Sequence, residues 1–489
     1  MHNQSSVTPP PTAELTTQTL IDGVGQLLTN YIEKSKKGED KVLQQQPPRN
    51  IAEDLKAREI LHSGFQDSQE ALQFVKRYLT HTNHLKNPHY LGHQVAVPHD
   101  LSGIPDWIHG TINNPSSLYE MGPAGATLEG VVINWMLQKV GWFSGDDIYD
   151  FRLKPGAGSG FLTHGGSVAN LTALAAARAA IAPKAWDEGN PQNLVVIGPE
   201  SSHYSIGRAI SILGLGKNAY RPVPVHEDET LDTTALAAVY EKACADGKQV
   251  MAVVANACAT STGLFDKLST VGDFCEKHQL WFHVDAAHGG AALLSRQHAH
   301  LLQGIEKANS IIWDAHKMML VPALCTAVLF KDARYQTDNF QQKGSYVFHE
   351  QEVVGMDTMP FTVECTKSAL GMKLFWSFAL LGEKGLEDFI DTTFNRTKEF
   401  YQLLEAHPNF SVPYSPQSNI LCFQYLPFAQ DNEKQMALRY ALIERGNFYI
   451  TSCEVRGQRY LRTVLMNPNT SLADCRDLLH EIEATAALL

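Results

Sequence analysis

Asp285 and Lys317 stand in two stretches built alike, LWFHVDAAHGG and NSIIWDAHKMM: an apolar run, then an acid, then small or polar residues. Residues 280–284 have the length and apolarity of a buried parallel strand. Such a strand delivers Asp285 to its carboxyl end, where open α/β sheets place their ligands. Ala286 and Ala287 are small, so a flat group can lie close to the backbone there. Residues 309–313 read as a second strand, ending on Asp314, His316 and Lys317. A carboxylate can hold a pyridine nitrogen protonated and an amine can form a Schiff base with an aldehyde, so the two strand ends suit pyridoxal phosphate.

Other stretches have to position that pair. In GSGFLTHGGSVANLTALAAARAA, Gly165 and Gly166 allow a tight turn, Ser167 offers a hydroxyl, and an Ala-rich helix starts at once. Free amides and the helix dipole at such a start favour an anion, although the same pattern also caps helices that bind nothing. Residues 194–197 read as a buried strand running into SHYS, with His203. QVMAVVANACATSTGLFDKL adds a strand and a loop carrying Thr260, Gly263 and Asp266, the last a candidate cap for the next helix. Residues 126–140 have helical periodicity, with Glu129 expected near the N-terminal turn, where a carboxylate is favoured. In NPHYLGHQVAVP, Pro88 and Gly92 mark irregular backbone around His89, Tyr90 and His93. Near the carboxyl end, RYLRTVLMNPNTS puts Arg462 on a strand, either for a carboxylate ligand or for an acid at an interface.

In this order the motifs HVDAAHGG, DAHK, GGSVAN, SHYS, SYVF and ECTKSALGMKLFW resemble the fold-type I, group II pyridoxal-phosphate-dependent amino acid decarboxylases, the glutamate and diaminobutyrate enzymes above all. The resemblance runs over roughly residues 50–480. It implies that Lys317 carries the cofactor, that Asp285 meets the pyridine nitrogen with Ala287 against the ring, and that His203 stacks on the ring. It further implies a phosphate held by the amides of Gly166, Ser167 and Val168, with His316 in contact. Thr260 is placed at the ring hydroxyl or the substrate carboxylate, Arg462 at the substrate's α-carboxylate, and His93 and Tyr90 in the substrate pocket.

The chain also departs from the family pattern. Asn87 replaces a histidine, Gly207 and Arg208 stand where a lysine is usual, and Cys258 and Ala259 replace Gly and Thr. In the mobile loop, where a tyrosine normally returns a proton to the α-carbon, this chain has Met356 beside Asp357-Thr358. His349, or Tyr346 at the loop's base, is then the candidate donor.

The 489 residues carry a formal net charge of -12, with 44% hydrophobic and 19% charged residues. That is ordinary for a globular protein with a sizeable core, and it argues against nucleic acid or an anionic membrane as the main partner. No apolar run reaches the roughly 18 residues that span a bilayer. The eight cysteines form no C-x-x-C pair, which speaks for reduced thiols in a cytoplasmic setting and against a metal site.

The expected fold is α/β of the fold type I PLP-dependent transferase kind: a mostly parallel seven-stranded sheet between helices, with an N-terminal helical segment and a small C-terminal α/β domain. The expected divisions are a leader with one amphipathic helix (residues 1–50), a helical dimerisation segment (51–110), a large cofactor-binding domain (111–384) and a small domain (385–489), assembled as a homodimer. The expected reaction is α-decarboxylation of an L-amino acid, diaminobutyrate-like or short and acidic (glutamate or aspartate), to its amine. An aromatic substrate, or an oxidative deamination giving an aldehyde because the loop tyrosine is missing, is the alternative. An aminotransferase would share the Asp and Lys, but SHYS and HVDAAHGG favour the decarboxylase branch.

Overall fold

The apolar runs form strands buried along their whole length, among them β2 (Leu194–Pro199), β5 (Phe282–Asp285), β6 (Ser310–Asp314) and β7 (Thr326–Phe330). The computed structural model describes residues 15–143, 145–340 and 356–489. With β1 (Ser159–Thr163), β3 (Tyr220–Val223) and β4 (Gln249–Asn256), these strands make a seven-stranded sheet of order β1-β7-β6-β5-β4-β2-β3. Only β7 runs against the others: it pairs antiparallel with both β1 and β6, while the remaining pairs are parallel.

Side chains alternate across this sheet with the period of two that strand geometry imposes. Val195, Ile197, Val253, Ala255, Ile311 and Trp313 join the core on one face, and Leu194, Val196, Ala252, Val254 and Ile312 join the core on the other. Both faces are therefore dry, which is why these strands read as continuous apolar runs and not as alternating ones.

The chain divides into two compact units. One holds the residues up to Gly92 together with Met436–Thr451 and Asn469–Leu489; the other holds His93–Gln435 and Ser452–Pro468. In the first, the helix Thr17–Lys36 packs on the helix Ser68–Thr80, which Asp67 caps through the Glu70 amide. A reciprocal Ser471–Asp474 box opens the last helix, Leu472–Ala486. The second unit contains the large sheet and, but for the first residue of β10, a four-stranded sheet of order β10-β11-β9-β8, formed by β8 (Phe410–Ser411), β9 (Ile420–Tyr425), β10 (Thr451–Val455) and β11 (Gln458–Val464). No helix among the described residues is long and apolar enough to cross a membrane.

Glu129 lies in the interior of the helix Pro123–Val140, not at its start. Its carboxylate is buried, accepts from the Leu162 amide at 3.0 Å and pairs with Lys367, whose amine also donates to the Leu162 carbonyl at 2.9 Å. A tertiary partner, not the helix dipole, balances this charge. Lys367→Met would leave the carboxylate buried and unpaired, and is expected to lower stability by roughly 3–5 kcal/mol, read from the urea midpoint.

Candidate active site

Six parallel strands point their carboxyl ends to one edge of the large sheet, and the loops leaving five of them meet there. β1 leads to Gly165, β2 to His203, β4 to Cys258 and Thr260, β5 to Asp285, and β6 to Asp314 and Lys317. Together they enclose a cavity of ≈ 350 Å³. Of the residues singled out in the sequence, Gly166, Ser167, His203, Thr260, Asp285, Ala287, His316 and Lys317 all line it.

The helix Gly166–Ile181 starts at the cavity wall, and its first amides have no intrahelical acceptor. Gly165 precedes it at φ +104°, a conformation that glycine adopts without strain. A β-carbon on Gly166 would stand 3.2 Å from the Asp314 carboxylate, so the helix mouth stays open because that residue lacks a side chain.

The amine of Lys317 lies 3.0 Å from Asp314 Oδ2, and Asp314 Oδ1 accepts from the Thr326 hydroxyl at 2.6 Å. Burial by itself would pull the Lys317 pKa down, but the carboxylates of Asp314 and Asp285 outweigh it and hold the amine above its ordinary value. Asp314 is shifted the other way: burial would raise it, while Lys317, His316 and the Thr326 hydroxyl bring it below the usual carboxylate range. Before it can act as a nucleophile, Lys317 must give up a proton that this pairing favours.

Asp285 is fixed from behind by a chain of buried hydrogen bonds. Asn170 Nδ2 donates to Asp285 Oδ2 at 3.0 Å and to Ser205 Oγ at 2.9 Å, and the Ala287 amide donates to Asp285 Oδ1 at 3.2 Å. Because an ionised carboxylate only accepts, it settles which end of the Asn170 amide faces it. Asn170 Oδ1 must then accept from His283 Nε2, 2.8 Å away. His283 Nδ1 is left to accept from the Ser310 hydroxyl at 2.8 Å, and Ser310 Oγ accepts in turn from Trp281 Nε1 at 2.9 Å. At the other branch His203 caps the helix Tyr204–Ile212, its Nδ1 accepting the Ser205 amide at 3.3 Å and lying 2.7 Å from the Ser205 hydroxyl. That leaves Nε2 of His203 as the protonated nitrogen. Burial, followed by the opposing fields of Asp285 and Lys317, lowers the His203 pKa, so the ring is neutral at pH 7.

Burial pushes His283 down to about 4 from an ordinary 6.5. Below pH 6.5 the unfolded chain takes up a proton there that the folded chain refuses until about pH 4, so stability present above 6.5 is lost as pH falls through that window. The contribution is about 3 kcal/mol at 1.36 kcal/mol per unit. The urea midpoint of the cofactor-free protein is expected to drop between pH 7 and pH 4.5, and less steeply in His283→Gln.

Sequence patterns did not single out Asn170, Ser205, His283 or His288 as working parts of this site. His288 lines the cavity with Nε2 2.7 Å from Asn419 Oδ1, and burial pushes it down to about 3, so it is a neutral ring. Its neighbour pattern, a histidine straight after DAA, was the available signal.

Val168 is not on the cavity wall; its amide donates to the Gly165 carbonyl at 3.1 Å. Arg462 stands behind the wall. Its guanidinium donates to the carbonyls of Thr260 at 2.7 Å and Ser261 at 3.0 Å, and to Gln94 Oε1 at 3.2 Å, and so holds the Thr260 loop. His93 is exposed and off the wall, and Tyr90 belongs to the other unit, where it stacks on Tyr449 at 5.2 Å. Tyr346 and His349 lie outside the described residues. Asp266 does not cap the next helix: it is buried, accepts from the amides of Leu231 and Asn256 at 2.7 Å each, and is pushed up to about 6 by burial.

The residues fit pyridoxal phosphate: a buried acceptor-only carboxylate, an amine, a neutral imidazole and a glycine-lined helix start converge on one cavity. Its size falls within the roughly 300–1,000 Å³ of small-molecule and cofactor sites. Comparison with known proteins agrees. The pyridoxal-dependent decarboxylase conserved domain matches residues 62–426. Mouse CSAD superposes with a TM-score of 0.87 at 25% identity, over 96% of this chain and 98% of that one. The glutamate decarboxylase domain of diaminobutyrate-pyruvate transaminase and L-2,4-diaminobutyrate decarboxylase from Vibrio parahaemolyticus gives 0.82 at 24%, over 96% of each chain. Oryza sativa TDC with PLP and tryptamine gives 0.85 at 21%, over 97% and 98%. With a fold-type I sheet, a cavity at its carboxyl edge and a matching domain across most of its length, this chain belongs to the pyridoxal-dependent decarboxylase family and is a PLP-dependent carboxy-lyase.

Proposed function

We propose that the chain removes the α-carboxylate of a short, polar L-amino acid, diaminobutyrate-like or acidic, and releases the amine. The observation that carries the reading is the convergence of Lys317, Asp285 and His203 on one buried cavity. Bound pyridoxal phosphate supplies the electron sink for the pair left when carbon dioxide departs. Lys317 is the residue that would hold the cofactor through its amine. Asp285, held in place by Asn170 and the Ala287 amide, would face the pyridine nitrogen as its carboxylate partner. His203 lines the cavity with a neutral ring, and the mouth of the helix Gly166–Ile181 would take the phosphate. Thr260 and the Arg462 behind it form the side that receives the substrate carboxylate. Most side chains on the cavity wall are polar, and Tyr204 is its one Phe, Tyr or Trp among the described residues, which supports a small polar substrate over an indole.

The test is mass spectrometry of products from the cofactor-loaded protein with diaminobutyrate, ornithine, glutamate, aspartate, cysteine sulfinate, tyrosine and tryptophan. An amine lighter by one carbon dioxide from diaminobutyrate, glutamate or aspartate is expected. Turnover of the aromatic substrates alone overturns the substrate reading, and an aldehyde with oxygen consumed overturns the simple decarboxylation.

We further infer that the chain pairs with a second copy. The N-terminal unit leaves Ile21, Leu28, Leu61 and Tyr78 exposed, apolar surface that a like partner would cover. A monomer mass in light scattering at micromolar concentration would count against it.

A further inference from the structure

A second cavity, of ≈ 370 Å³, lies at the amino end of β1, the strand whose carboxyl end leads to Gly165 at the cofactor site. No described residue lines both cavities. The helix Pro123–Val140 forms one side and residues 145–160 another. Asn134 joins the two, its Nδ2 donating to the carbonyls of Ile148 at 2.9 Å and Asp150 at 3.0 Å. Phe151 packs on the helix at Gly130, where a β-carbon would stand 2.7 Å from its ring.

The lining sets aromatic rings beside carboxylates. Trp142, Phe143 and Phe151 supply the rings, and Ile133, Leu153 and Met356 add aliphatic surface. Glu129, Asp146, Asp147 and Asp150 stand against two cations, Arg152 and Lys154. Both cations are committed to Asp150: Arg152 through Nε at 2.7 Å and Nη2 at 2.8 Å, Lys154 at 2.6 Å. Asp146 and Asp147 add two further carboxylates at the exposed rim. Three buried side chains of the lining also hold polar atoms without a hydrogen-bond partner among the described residues: Glu129 Oε2, Ser159 Oγ and Thr358 Oγ1. Such atoms are costly to leave unsatisfied, and an ionised carboxylate oxygen can be satisfied only by a donor.

We propose that this cavity binds a small organic ammonium ion with an apolar body, at a site separate from catalysis. With Glu129 balanced by Lys367, the lining still keeps a net negative charge, which attracts a cation and disfavours an anion. Aromatic faces attract an ammonium group lying within about 6 Å of their centroids, and the same rings take up an apolar body. The N–H of such an ion is the kind of donor that Glu129 Oε2 requires. The volume falls within the roughly 300–1,000 Å³ of small-molecule sites.

The experiment titrates the holoenzyme calorimetrically with N,N-dimethylphenethylamine, which is protonated at neutral pH. As a tertiary amine it cannot form an imine with the cofactor, so binding in the second cavity leaves the visible absorbance unchanged. One molecule bound per chain is expected, with 2-phenylethanol, the uncharged analogue, several-fold weaker. Ala157→Leu, which narrows the cavity, is expected to lose binding. The exposed pair Asp146→Asn and Asp147→Asn should weaken it several-fold without touching the fold. No heat up to millimolar probe, or affinity unchanged in both variants, overturns the proposal. Equal affinity for the alcohol removes the ammonium from it, and a shift of the cofactor absorbance on binding would put the probe in the catalytic cavity; either result also overturns it.

Discussion

Replacing Lys317 by alanine is expected to abolish turnover, with a fall on the order of 10³-fold or more because no other group can take over a covalent role at that position. The side chain is mostly buried, its amine is paired with Asp314 at 3.0 Å, and it lies on the same cavity wall as Asp285 and His203. Lys317→Ala also removes the positive charge that helps keep Asp314 ionised, so the buried Asp314 carboxylate should take up a proton more readily. The variant should therefore lose the visible absorbance of the loaded protein while keeping a cooperative unfolding transition. An unchanged spectrum would mean that another amine carries the cofactor.

Asp285→Asn is the second large effect. The substitution keeps size and shape but takes away the negative charge, so the pyridine nitrogen is no longer held protonated and the electron sink weakens. A fall in kcat of about 10²–10³-fold is expected, with a much smaller change in KM, as for loss of a charge aimed at the transition state. Asn170→Ala acts on the same atom less directly. It removes the donor to Asp285 Oδ2 and strands the His283 N–H, and is expected to lower stability by about 1–3 kcal/mol as well as kcat. A shift in the pH dependence of the cofactor's absorbance in Asn170→Ala separates positioning of Asp285 from plain loss of packing. An unmoved profile would leave Asn170 a structural residue only.

The strand ends that carry chemistry were legible in the sequence because each is marked locally. A fully apolar run stops at Asp285 and at Asp314, and two glycines stop at the helix Gly166–Ile181. Buried parallel strands declare themselves in this way, since both faces must be apolar. The support behind them was not legible. Asn170 lies on a helix, His283 on β5, Ser310 on β6 and Ser205 beyond β2, and only the strand order β6-β5-β4-β2 brings them to one place. Glu129 was read through the helix dipole because its true partner, Lys367, is remote in sequence. Asp266 was read as a cap for the same kind of reason, although its two amide donors come from β4 and from the turn at Leu231. Local chemistry can be read residue by residue; pairings set by topology need the sheet.

The most direct test of the site is to reduce the cofactor-loaded protein with borohydride, digest it and locate the pyridoxyl group by mass spectrometry. The arrangement described here predicts one modified peptide, bearing the group on Lys317. A pyridoxyl group on another lysine, such as Lys367 or Lys373, or a loaded protein with no lysine modified, would contradict it.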